Sequence, residues 1–189
     1  KRAFRLLVIG TTLHSFTYQA LVMWLPPFLA RSHALAMAEI AWWSALMIGV
    51  GGGIGALAGG NLLDVLVRRD MRWYAWAPGI AFALFIPFAV LLLTVSGQPA
   101  VLASGLVTLM LVSFYIAPVN ALAQSMVPSR LRGLTAAVLL IFPTIFGAGL
   151  GPLATGVVSD WLGARGVVEE AALPYALIHG ESLVACAAW

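Results

Sequence analysis

The feature that most restricts this chain is a run without a single Asp, Glu, Lys or Arg from Leu6 to Ala30. A hydrocarbon core about 30 Å thick is crossed by roughly 20 helical residues, so the run is long enough to span it. It far exceeds the hydrophobic region of a secretory leader, which takes about 7 to 15 residues. Inside lipid no water can satisfy backbone N–H and C=O groups, so a spanning segment must be a helix or part of a closed barrel. Barrel strands would alternate polar and apolar residues over about ten positions. The longer, uniformly apolar runs here read as helices, and the fold class as an all-α integral membrane bundle.

Five further segments follow the first. They are expected from Met37 to about Leu66, Trp73 to Val95, Ala100 to Val127, Gly133 to about Val158, and from near Ala171 into the last residues. The Ser96-Gly97-Gln98-Pro99 turn separates the third from the fourth, and Pro128-Ser129-Arg130-Leu131-Arg132 leads into the fifth. Six spans account for nearly all of the 189 residues, and 9% charged side chains is far below the roughly 25% of soluble domains. The absence of an initiator methionine and the apolar end at Trp189 read as a chain cut at both ends.

Charge gives the orientation. Of the ten Lys and Arg residues, Lys1, Arg2, Arg5, Arg68, Arg69, Arg72, Arg130 and Arg132 fall on one side and only Arg31 and Arg165 on the other. Cytoplasmic loops carry the excess of basic residues, so the N-terminal end is expected in the cytoplasm of a cell membrane, most naturally a bacterial inner membrane. The sequence pI of about 9.5 would raise nucleic acid as a partner in a soluble protein; here the arginines belong to membrane-flanking loops and no nucleic acid is implied. Trp24, Trp42, Trp43, Trp73, Trp76 and Trp161 stand near expected span ends, where indole rings favour the headgroup region. A single cysteine, Cys186, excludes a disulfide framework.

The second span contains Gly49-Val50-Gly51-Gly52-Gly53-Ile54-Gly55-Ala56, a formal match to a dinucleotide fingerprint. That fingerprint requires a strand, a tight turn and a helix start, whereas these glycines lie inside one apolar segment, so no cofactor follows. Gly51, Gly55 and Gly59 instead make one small-residue face that lets another helix approach closely. The fifth span repeats the pattern with Gly147, Gly151 and Thr155, beside Ala148, Pro152 and Gly156.

The stretch Gly60-Asn61-Leu62-Leu63-Asp64-Val65-Leu66-Val67-Arg68-Arg69 resembles the short cytoplasmic-loop signature of the major facilitator superfamily. Gly60, Asp64, Arg68 and Arg69 match, while Val65 and Val67 replace a basic residue and a glycine. Val127-Pro128-Ser129-Arg130-Leu131-Arg132-Gly133 and the segment from Gly147 through Gly156 to Ser159-Asp160 extend the resemblance. It implies the C-terminal six-helix half of a twelve-helix secondary transporter, of Spinster-like flavour, moving a small molecule or lysolipid-like substrate by alternating access. The N-terminal six-helix half would then be an absent partner, and the coupling acids would belong to it.

In that superfamily the first and fourth helices of each half line the cavity. The resemblance therefore directs attention to His14, Tyr18 and Gln19 in the first span and to Tyr115 and Asn120 in the fourth as substrate-binding residues. His14 and Tyr18, one turn apart, share a face. Polar groups at that depth usually face a bundle interior or a wet cavity, although hydrogen bonding to a neighbouring helix explains them equally. Thr11, Thr12, Ser15, Ser113 and Gln124 complete the polar set, and Pro118 predicts a kink. Asp64, at the unfavourable end of a helix dipole, is expected with Arg68 and Arg69 to serve gating. Glu39 suits a helix N-terminus as a cap. Glu181 lies roughly 15 Å into the sixth span when counted from Ala171, as a hydrogen-bonded neutral acid or a protonation site. A six-span membrane enzyme is the alternative, without a G-x-S-x-G or H-E-x-x-H match to carry it. A channel or structural bundle is another, without a filter-like loop.

Overall fold

The computed structural model describes residues 2–33, 36–95 and 97–164. Among them five helical stretches are long and apolar enough to cross a membrane: Arg2–Arg31, Met37–Val67, Trp73–Thr94, Gln98–Ser125 and Ser129–Trp161. Each expected boundary among these five lies within a few residues of the observed one. The sixth expected span, with Glu181 and Cys186, lies outside the described residues, so five spans stand where six were expected.

The helices in chain order are α1 (Arg2–His33), α2 (Met37–Leu46), α3 (Gly52–Val67), α4 (Trp73–Thr94), α5 (Gln98–Ser113), α6 (Ile116–Ser125), α7 (Arg132–Phe142) and α8 (Gly149–Ala164). Two wide π-helical turns interrupt the second and fifth spans, at Met47–Gly51 and Pro143–Ala148. Each contains the first residue of its span's small-residue face, Gly51 in one and Gly147 in the other.

Local chemistry sets the ends. The Glu39 carboxylate accepts the Ala36 N–H at 3.2 Å, the reach-back half of a capping box, as expected for that residue. The Asp70 carboxylate accepts the Arg72 N–H at 2.8 Å and turns the chain into α4. Gly97 has φ +129, a backbone region open to glycine. Pro99 then occupies the first turn of α5, where its missing N–H costs nothing.

The described residues pack as two compact units, one from within 2–41 and 137–164 and the other from within 42–136. In the second unit α5 packs against α3, α4 and the π turn at 47–51. Gly51, Gly55 and Gly59 meet the backbone at Leu106, Met110 and Phe114 in the same order, so α3 and α5 run parallel. A methyl group at Gly55 would overlap the Met110 carbonyl, and one at Gly59 the Phe114 carbonyl. Backbone cannot yield as a side chain can, so the small-residue face expected from the sequence is a requirement of this contact. Phe82 and Phe85 stack at 5.4 Å between ring centroids, and Phe85, Leu92 and Leu109 are fully buried.

In the first unit α1 packs against the π turn at 143–148 and against α8. The Ser15 hydroxyl donates to the Pro143 carbonyl and the Trp24 indole N–H to the Pro152 carbonyl, both at 3.0 Å. Both bonds join positions 128 apart, so these helices also run parallel. Gly147 sits against Ser15 and Gly151 against the Phe16 carbonyl. Thr155, third on that face, is buried and bonds back to the Gly151 carbonyl at 3.1 Å. Elsewhere large apolar side chains stand outward, Leu57 and Leu140 at 69% exposure each. That is the surface of a multi-pass membrane protein, for which hydrocarbon is the solvent.

Candidate functional site

The polar residues of the first span separate by their bonding. Thr11 donates to the Leu7 and Val8 carbonyls at 2.9 Å each, and Thr12 to the Val8 carbonyl at 2.7 Å. These hydroxyls are satisfied within α1, and Thr11 is buried. Ser15 is committed to Pro143. Thr17 is buried with no hydrogen-bond partner for its hydroxyl among the described residues, and His14, Tyr18 and Gln19 are half-buried.

The fourth span departs from a single polar stripe. Its helix breaks at Phe114 and Tyr115, between α5 and α6, rather than at Pro118 itself. The reason lies in the proline: without an N–H it cannot bond the carbonyl four residues back, which belongs to Phe114. That freed carbonyl is the one against which Gly59 packs, so the break and the glycine face are one arrangement. The break also shifts the helical phase. Ser113 is buried beside Gly52, Tyr115 is half-buried at the start of α6, and Asn120 is exposed. The Asn120 amide donates to the Ile116 carbonyl at 2.8 Å. Gln124 reaches toward the Arg132 carbonyl at 3.5 Å, and its own buried oxygen has no hydrogen-bond partner.

His14, Tyr18 and Gln19 thus belong to one compact unit and Tyr115 and Asn120 to the other. Asp64 and Arg69 flank the C-cap residue Arg68, and all three are exposed. Among the described residues no ion pair joins Asp64 to Arg68, although four-residue spacing would allow one. Glu181 lies outside the described residues. The sequence reading did not single out Trp24 as a helix-to-helix tie; its position near a span end pointed to the headgroup region instead.

No family profile matches the chain. It is 30% identical over 162 residues to an MFS-type efflux pump of Mycolicibacterium smegmatis, an alignment covering 86% of this chain and 38% of that protein. A bacterial homologue of the human lysosomal transporter Spinster, inward-facing and occupied, superposes with a TM-score of 0.82 at 20% identity, over 100% of this chain and 48% of that one. A bacterial Spinster homologue in the inward-facing, unoccupied conformation gives a TM-score of 0.77 at 21% identity, over 100% of this chain and 44% of that one. The chain is thus similar in sequence to a major facilitator efflux pump over most of its own length and shares the fold of the Spinster homologue. The chain spans 38% of the length of its efflux-pump relative. The signature residues Gly60, Asp64, Arg68 and Arg69 lie in and just beyond the C-terminal part of α3.

Proposed function

We propose that this chain is the C-terminal six-helix bundle of a secondary transporter that exports a small molecule or lysolipid-like substrate by alternating access, together with a second bundle. The observation that carries the reading is the 30% identity to an efflux pump over 86% of the chain; the lysolipid-like alternative is what the sequence resemblance implies. In such carriers a site near the midplane is exposed to either side as two bundles rock. His14, Tyr18 and Gln19 on α1, with Tyr115 and Asn120 on α6 and its cap, are proposed to line that site. Asp64, Arg68 and Arg69 are proposed as gating residues, and Glu181 as a hydrogen-bonded acid of the sixth span. The arginine asymmetry supports a cell membrane with the N-terminal end of this chain in the cytoplasm.

The test is counterflow in proteoliposomes with the full-length protein. Uptake of labelled lysophospholipid should depend on the same unlabelled lipid inside, and His14→Ala and Tyr18→Phe should weaken binding about tenfold or more while the midpoint of thermal unfolding stays near that of the parent. Equal losses of binding and stability would make the pair a packing contact. Robust uptake by residues 1–189 alone would defeat the two-bundle mechanism.

A further inference from the structure

A second binding surface lies on the first compact unit, away from the polar face of His14 and Tyr18. Phe4, Arg5, Val8, Thr12, Phe142 and Phe146 line an open groove of about 500 Å³ between α1 and the segment 138–146. That volume is within the range of small-molecule sites, roughly 300–1,000 Å³. Phe142 and Phe146 stack at 6.2 Å and make one wall. Thr12 turns its hydroxyl to the Val8 carbonyl, so it shows the groove a methyl group. Apart from Arg5, the lining therefore offers nothing to a polar ligand.

Length and charge identify the occupant. From Phe4 to Leu13 the groove follows α1 for roughly 13 Å at 1.5 Å per residue, close to half of a hydrocarbon core of about 30 Å. Arg5 stands at one end, exposed, and Arg2 is three residues before it, also exposed and on the same face. A ligand complementary to this surface has an extended hydrocarbon chain one leaflet deep and an anionic head at the arginine end. We infer that the groove between α1 and residues 138–146 holds one acyl chain of an anionic diacyl phospholipid, with its phosphate at Arg5 and Arg2. This lipid is resident rather than cargo. It would tie the first helix of the bundle to the span carrying the π turn at 143–148.

The experiment is native mass spectrometry of the full-length protein, delipidated and returned to mixed phosphatidylglycerol and phosphatidylcholine. Retention of phosphatidylglycerol over phosphatidylcholine by about fivefold or more is expected, since each basic residue near a membrane surface contributes attraction of that order. Arg5→Gln should reduce the preference toward parity while a lipid is still retained. Val8→Trp, which fills the groove, should lower retention of both lipids. Equal retention of the two lipids by the parent protein, or an undiminished preference in Arg5→Gln, overturns the inference. So does displacement of the bound lipid by excess lysophosphatidylglycerol during counterflow, which would make it cargo. Should Val8→Trp not fold, Arg5→Gln still decides. The site rests on the membrane reading but not on transport, so a protein that fails counterflow and retains phosphatidylglycerol separates the two.

Discussion

Glycine at position 55 illustrates how little tolerance this fold has at single residues. Its Cα lies against the Met110 carbonyl with no room for a methyl group, whereas a methyl at Gly53 meets nothing within 4 Å. Overpacking of a close contact typically costs about 1–3 kcal/mol. Replacing an open helical glycine by alanine gains up to about 1 kcal/mol of helix propensity in water. Gly55→Ala is therefore expected to lower the thermal midpoint of the purified protein, while Gly53→Ala leaves it unchanged or raises it. Equal effects at the two positions would mean that α3 and α5 are not in the contact described.

Elements are tied by few polar bonds, and each has an identifiable role. Ser15 and Trp24 reach two carbonyls of the fifth span nine residues apart, since 152 − 143 and 24 − 15 are both nine. Interhelical hydrogen bonds in membrane proteins contribute about 0.6 kcal/mol on average. Sites separated by roughly 13 Å along a helix should act independently. Ser15→Ala and Trp24→Phe are expected to destabilise by about that amount each, additively in the double variant. Hydrogen exchange should rise at the amides of 143–148 in Ser15→Ala more than in Trp24→Phe. A double variant no less stable than either single one would show that the two bonds do not act as separate ties. Element identity was legible beforehand, because apolar runs of this length admit only helices. The break at Phe114 and Tyr115 was not. Pro118 marks a missing donor, but which carbonyl is freed and what approaches it depend on α3.

On the scale of the molecule, the proposed gating role of Asp64 concerns a contact between this bundle and the proposed second one. Asp64 lies near the negative end of the α3 dipole, at an expected cost of about 0.3–1 kcal/mol, and makes no ion pair with Arg68 among the described residues. A compensating partner in the other bundle would exist only while the cytoplasmic side is closed. Asp64→Asn in the full-length carrier should then shift the population toward the inward-open state, seen as fewer crosslinks between cytoplasmic helix ends, with substrate binding retained. Unchanged crosslinking with normal transport would reduce Asp64 to an ordinary loop charge. What the sequence determined by itself is the helical class, the limits of five spans and the two small-residue faces, because hydrocarbon demands internal backbone pairing and only small residues permit helices to touch. The tertiary structure alone decided which helices those faces meet, that they meet in parallel, that Thr11 and Thr12 are spent on their own helix, and that an apolar groove ends at Arg5. Those outcomes depend on distances between segments far apart in the chain, and local periodicity carries no information about them.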